Sequence, residues 1–272
     1  MCHHCVIENV KQRMLSRRDL FKAAPAVAVA AAASGAVLPA LAAGHSSIAD
    51  LTHELHHDFP TYFGPPGITL TAKFTFADNG FNVFDLALNE HTGTHIDAPL
   101  HFSADGQSVA QIPVENLIAP LAIVDIRERA AADPDTLLTP DDLKAWIAAN
   151  GPLPERCCVA MNSGWDAHVN GDKFRNADDA EGKQHYPGFH IEAAQMLLEE
   201  STAIGIAVDT LSLDHGISAD FATHYAWLPT NRWGLECIAN LGKLPAVGAT
   251  LIVGAPKWRG GSGGPSRVMA LV

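Results

Sequence analysis

The chain is 272 residues long and carries 18 Lys plus Arg against 30 Asp plus Glu, a net charge of −12. So acidic a surface repels phosphate backbones and anionic headgroups, which argues against nucleic acid or a membrane surface as a partner. Five cysteines over this length do not make a disulfide scaffold.

Ser16-Arg17-Arg18-Asp19-Leu20-Phe21-Lys22 is a twin-arginine pattern, followed by an Ala/Val run from Ala23 to Leu38. Ala40-Leu41-Ala42 offers small residues where a signal peptidase reads. Pro25, Gly35 and Pro39 interrupt the run, which is too short and Ala-rich for a good membrane span. Residues 1–42 are expected to be an export signal, with an uncleaved anchor as the alternative, and 43–272 one periplasmic domain. That remainder holds thirteen Lys plus Arg against twenty-eight Asp plus Glu, a net charge of −15. Cys2-His3-His4-Cys5 is too cramped to wrap one tetrahedral zinc; Cys157 and Cys158, leading into an apolar run, read as buried free thiols, and Cys237 leaves an odd number.

In the following segment, hydrophobic patterning predicts strands at 68–76, 81–89, 121–126, 157–161, 203–209, 249–254 and 267–272. A helix fits Pro140 to Ala149, capped by Thr139; others fit Ile191 to Glu200 and Asn231 to Leu241. Asp78-Asn-Gly80 and Asp105-Gly106 mark turns. Helices interleave with strands only in the second half, so the class is α/β or α+β around a mixed sheet.

His91-Thr-Gly-Thr-His95-Ile-Asp97-Ala-Pro-Leu-His101 carries the chemistry. Imidazole and carboxylate are standard ligands for Zn2+ or Mn2+. Thr92, Gly93, Thr94 and Ile96 lower helix propensity and Pro99 stops a helix, so the segment is extended. A flat strand would separate residues 91 and 97 by about 20 Å, too far for one ion. The chain must therefore bend, and Gly93 is where bending is cheap and where room for an ion is left. His91, His95 and Asp97 then converge on one cation, with the Thr hydroxyls holding neighbouring groups. His101, beyond Pro99, is far round the bend for the same ion but faces the same pocket, which suits a general base or acid. His224 and Glu236, twelve residues apart, offer complementary chemistry for a second ion bridged by Asp97; a surface or hydrogen-bonding role is the open alternative.

This motif resembles the HxGTHxDxPxH signature of the cyclase family, metal-dependent hydrolases that include bacterial kynurenine formamidase and isatin hydrolase. Gly205-Ile-Ala-Val-Asp209-Thr-Leu-Ser212-Leu-Asp214 and Gly263-Gly-Pro-Ser266-Arg267 are similar to further family segments. The resemblance implies a single swivelling β/β/α domain, assembled as a homodimer or larger. It implies His91, His95 and Asp97 on a first metal, Asp97, His224 and Glu236 on a second, and His101 as the proton shuttle. One or two Zn2+ or Mn2+ ions would serve hydrolysis of an amide beside an aromatic ring, a cyclic amide of the isatin type or the formyl amide of N-formylkynurenine. The stretches around Asp209, Asn231 and Arg267 lean to the isatin side. Ala207-Val208 and Gly264 depart from the formamidase pattern.

Phe59, Tyr62, Phe63 and Trp165 are candidates for an aromatic substrate slot, and Arg267 for a carboxylate contact; core packing or an ion pair is the alternative for each. His53, His56, His57, His168, His185, His190 and His215 read as surface or locally bonded. Asp209 and Asp214 read as supports for loops or ligands. A lactone hydrolase or dehydratase of the same family, or a non-catalytic metal-binding protein, are rival readings. A proton shuttle beside a full ligand set disfavours the last.

Overall fold

The computed structural model describes residues 47–177 and 182–272. The twin-arginine pattern, the apolar run that follows it, Cys2 and Cys5 lie outside the described residues. Strands are β1 (Ile48–Asp50), β2 (Ile68–Phe74), β3 (Val83–Leu88), β4 (His95–Asp97), β5 (Ile118–Asp125), β6 (Leu137–Leu138) and β7 (Cys158–Asn162). They continue with β8 (Gly188–Phe189), β9 (Gly205–Val208), β10 (Trp233–Glu236), β11 (Ala249–Gly254), β12 (Gly263–Pro265) and β13 (Arg267–Leu271). The helices of the second half are α1 (Arg127–Ala132), α2 (Pro140–Asn150), α3 (Ile191–Glu200) and α4 (Ala222–Trp227).

The chain divides into two compact units. Among the described residues the smaller is Leu70–Ala87, most of the two-stranded β2-β3 sheet. Lys73 Nζ meets Asp85 Oδ1 at 3.2 Å across it, and Thr75 caps a single helical turn, Phe76–Asn79, that ends at left-handed Gly80.

The larger unit, Ser46–Thr69 with Leu88–Val272, holds a nine-stranded sheet in the order β1-β13-β11-β5-β7-β9-β10-β4-β12. β5, β7, β9 and β10 are parallel, and the other pairings are antiparallel. The expected mixed sheet flanked by helices is therefore the architecture observed, an α+β fold. Its parallel strands are buried on both faces, as crossover helices require. Ala119, Leu121 and Ile123 of β5, Cys158 and Ala160 of β7, and Ala207 of β9 enter one core. Ala122, Val124, Val159, Met161, Ile206 and Val208, the alternate residues, enter the other with Leu143 and Trp146 of α2 and Leu197 of α3. The period of two along each strand thus sorts one apolar run into two cores. All five tryptophans give their indole N–H to a backbone carbonyl, at 2.8 to 3.0 Å. For the buried Trp146, Trp165, Trp227 and Trp233 each bond avoids a desolvation cost of about 1–3 kcal/mol.

Helix α2 starts as its sequence predicts: Thr139 and Asp142 form a capping box and Pro140 takes the first turn. The helix predicted over Asn231 to Leu241 is absent. Asn231 is left-handed at φ 60°, and Trp233–Glu236 is instead strand β10, parallel to β9 and antiparallel to β4. Its four residues are all buried, and sheet pairing on both edges overrides the local helical pattern. β4, the short strand that carries His95 and Asp97, lies between β10 and β12. Among the described residues no helix is long and apolar enough to cross a membrane.

Candidate active site

The motif bends where its glycine stands. Gly93 has φ 68°, a conformation costly for any residue with a Cβ. A Cβ there would meet Leu55 Cδ1 at 3.2 Å, so Gly93 makes room for a neighbouring leucine, and it also lines the cavity over the cluster. Thr94 fastens the bend: its hydroxyl donates to Cys237 O at 2.5 Å and accepts from His53 N at 2.9 Å. After the bend, His95 and Asp97 share one face of β4 while Ile96 points into the core.

Register then delivers the partners. Glu236 of β10 pairs with His95, placing their side chains together, and Glu236 Oε2 is 3.3 Å from His95 Nε2. Gly234 and Gly263 flank Asp97 from the two neighbouring strands. A Cβ on Gly234 would come within 3.2 Å of Asp97 Oδ2, and one on Gly263 within 2.8 Å of His91 Cε1. Both positions must be bare for the carboxylate and imidazole to fit.

His224 arrives on α4. Asp214 Oδ1 accepts Thr223 N at 2.8 Å, and its Oδ2 accepts His224 N at 3.2 Å and His224 Nδ1 at 2.6 Å. One carboxylate thereby caps the helix and fixes the imidazole tautomer. His224 Nε2 is left 3.2 Å from Glu236 Oε1 and 3.8 Å from Asp97 Oδ2, the latter beyond hydrogen-bond reach. Pro99 opens the short helical turn Pro99–His101, which swings His101 back over the motif. Its ring stacks on His91 with centroids 3.8 Å apart and 21° between planes.

The electrostatics of this cluster are severe. Burial opposes charge on Asp97, yet His95, His224 and His91 hold its carboxyl well below the usual range. Burial likewise opposes charge on His95, but Asp97 and Glu236 outweigh it and raise the imidazole to about 10. His224 is raised in the same way by Asp214, Asp97 and Glu236. His101 goes the other way: burial pushes it down to about 4, so it is neutral near pH 7.

The donor set fits a divalent cation. His95 Nδ1 lies 2.8 Å from Gly93 O, which can only accept, so Nδ1 carries a proton and Nε2 is the nitrogen left for a cation. That nitrogen and Asp97 Oδ2 are buried without a hydrogen-bond partner. Carboxylates and imidazole nitrogens that converge in a dry site need positive charge among them, and a cation competes with protons for these nitrogens. Ligand atoms of His91, Asp97 and His101 lie within 4.8 Å of one another, as do those of His95, Asp97 and Glu236. Asp97 belongs to both groups. The structure thus brings all six residues together, and it sets His101 within ligand reach where the bend was expected to hold it apart.

A cavity of about 810 Å³ opens over the cluster. Tyr62, Phe63, Phe102 and Phe221 line it, and Tyr62 and Phe102 sit 6.0 and 5.7 Å from the Phe221 ring. Of the aromatics proposed from sequence, Phe59 and Trp165 are buried in a separate cluster with Phe174, and neither lines the cavity. Asp209 draws Trp165 inward by accepting its backbone N–H at 3.1 Å, and its indole N–H goes to Phe174 O. Arg267 is exposed and paired with Asp50 at 2.6 Å, away from the cavity lining. His185 pairs with Asp135 at 2.9 Å, His190 caps α3, and His215 does not line the cavity. Cys157, Cys158 and Cys237 are buried and free. Sequence reasoning missed Phe102 and Phe221, and also Glu90 and Ser262, which bond to each other beside His91. Glu90 adjoins the motif and could have been found; Ser262 lies 171 residues from His91, with only a Gly-rich neighbourhood to mark it.

The Cyclase family model matches residues 49–215. The chain belongs to the Cyclase family. It is a hydrolase of that family, 37% identical over 197 residues to the isatin hydrolase of Roseibium aggregatum, covering 69% of this chain and 73% of the relative. It is 26% identical over 201 residues to the kynurenine formamidase of Salinibacter ruber, covering 74% of this chain and 85% of the relative. Among solved structures, isatin hydrolase A from Labrenzia aggregata bound to benzyl benzoate superposes with a TM-score of 0.78 at 34% identity, over 83% of this chain and 93% of that one. An isatin hydrolase bound to the product analogue thioisatinate gives 0.77 at 30% identity, over 95% and 99%. These Cyclase family structures share the curled mixed sheet with its helices.

Proposed function

We propose that this chain hydrolyses the C–N bond of an aromatic cyclic amide of the isatin type, using one or two Zn2+ or Mn2+ ions. The observation that carries this reading is the convergence of His91, His95, Asp97, His101, His224 and Glu236 beneath an aromatic-walled cavity, with buried ligand atoms left unpaired. His91, His95 and Asp97 would hold one cation, and Asp97, His224 and Glu236 a second. When bound, such a cation lowers the pKa of a water and draws electron density from a carbonyl oxygen.

His101, neutral near pH 7 because burial holds it down to about 4, accepts a proton from the attacking water at its imidazole nitrogen and returns it to the leaving amide nitrogen. Tyr62, Phe63, Phe102 and Phe221 take the flat ring of the substrate and shed water from it. Asp214, through His224 Nδ1, and Gly93 O, through His95 Nδ1, keep two imidazoles oriented. The isatin lean is supported by the isatin hydrolase relative at 37% identity against 26% for the Salinibacter formamidase.

The test is a paired assay of isatin and N-formylkynurenine on Zn2+- or Mn2+-loaded protein. A preference of tenfold or so in kcat/KM for isatin, roughly 1.4 kcal/mol, supports the reading. The opposite preference makes the chain an arylformamidase, and no turnover of either removes both. Residues 1–42 are proposed as a twin-arginine export signal and the enzyme as a periplasmic homodimer or larger assembly. N-terminal sequencing of the exported protein and light scattering test these two points.

A further inference from the structure

We propose that Glu90 and Ser262 are positioning residues that dictate which nitrogen of His91 is free to bind a cation. The inference rests on the metal reading above and extends it to two residues outside the ligand motif. Ser262 Oγ is 2.6 Å from Glu90 Oε2, and Ser262 N is 2.9 Å from the same oxygen. A carboxylate oxygen only accepts, so the single hydroxyl proton of Ser262 points at Glu90. What the hydroxyl has left for His91 Nε2, 2.9 Å away, is a lone pair. His91 Nε2 must therefore carry a proton, while Nδ1, 2.7 Å from Asp97 Oδ1, donates to that carboxylate until a cation takes the place of its proton.

His95 and His224 are set the opposite way. Their Nδ1–H groups go to Gly93 O and Asp214, and their Nε2 atoms face Asp97 and Glu236. Asp97 thus meets one imidazole through Nδ1 and two through Nε2. Local sequence is built for the Glu90–Ser262 contact. A Cβ on Gly261 would fall 2.7 Å from Glu90 Oε1, and one on Gly263 2.8 Å from His91 Cε1. Bare glycines on both sides of Ser262 allow the carboxylate, hydroxyl and imidazole to stack in line.

The experiment combines Zn2+ titration calorimetry with long-range 15N correlation spectra of the histidine rings. It uses wild type, Ser262→Ala, Glu90→Ala and Glu90→Gln. Expected are a wild-type His91 that keeps its Nε2–H and loses its Nδ1–H on Zn2+ loading, and Zn2+ affinity lowered about 10–100-fold in Ser262→Ala and Glu90→Ala. Glu90→Gln keeps a carbonyl acceptor for Ser262 and should stay within about threefold of wild type. A purely structural loss would not separate Gln from Ala at position 90 in this way. A Zn2+-loaded wild type whose His91 carries its proton on Nδ1 overturns the proposal, as does unchanged affinity in Ser262→Ala. Wild type that takes up no Zn2+ would instead sink the metal reading, and a metal-free spectrum lacking the His91 Nε2–H would separately overturn the relay.

Discussion

Asp214 Oδ2 accepts the Nδ1 proton of His224 at 2.6 Å while the same carboxylate takes two backbone N–H groups at the start of α4. The helix that presents His224 and the tautomer of its imidazole therefore depend on one side chain. Asp214→Asn keeps the shape but loses charge at both tasks. It should lower divalent-cation affinity about tenfold or more and destabilise the fold by about 1–2 kcal/mol. Calorimetric titration and urea unfolding read the two effects separately, and a variant with wild-type affinity would show that His224 orients without Asp214.

His101 stands over the cluster, stacked on His91 and neutral near pH 7. His101→Gln should lower kcat by about 10²–10⁴-fold with metal content retained. Elemental analysis decides between roles, because loss of metal from this variant would identify His101 as a ligand.

Phe221 adopts φ 51° and ψ 42° at the cap of α4, a left-handed conformation unfavourable for a bulky side chain, and its ring lines the cavity. Asn tolerates this conformation and removes the ring. Phe221→Asn should hold stability to within about 1 kcal/mol of wild type and raise KM for an aromatic amide several-fold. A stability loss with KM unchanged would mark the residue as packing alone.

Asp209 is buried and accepts bonds from Ser163 N, Ser163 Oγ and Trp165 N. Burial nonetheless raises its carboxyl from 3.8 to about 7. With the folded value above the unfolded one, its contribution to stability is complete below pH 4 and is lost as pH rises through 7. A gap of that size corresponds to about 4 kcal/mol. Urea unfolding of wild type and Asp209→Asn across pH 4 to 8 should show the wild-type advantage shrinking as pH rises. A difference independent of pH over that range would mean the carboxylate is ionised throughout.

Local chemistry in the sequence was enough to single out His91, His95, Asp97 and His101, the bend at Gly93 and α2 with its capping box, because each is written within a few consecutive residues. The motif's extended form followed from Pro99 and low helix propensity alone. What the tertiary structure decided were the facts that depend on register and burial. Asn231 to Leu241 carries a helical pattern, but pairing with β9 and β4 makes it strand β10 and sets Glu236 beside His95. Trp165 looks like a pocket wall until Asp209 pulls its backbone inward, and Arg267 like a substrate contact until Asp50 neutralises it. Ser262 reaches His91 across 171 residues of chain. Contacts of that separation are fixed by which strands neighbour one another in the sheet, and no short window of sequence encodes that order.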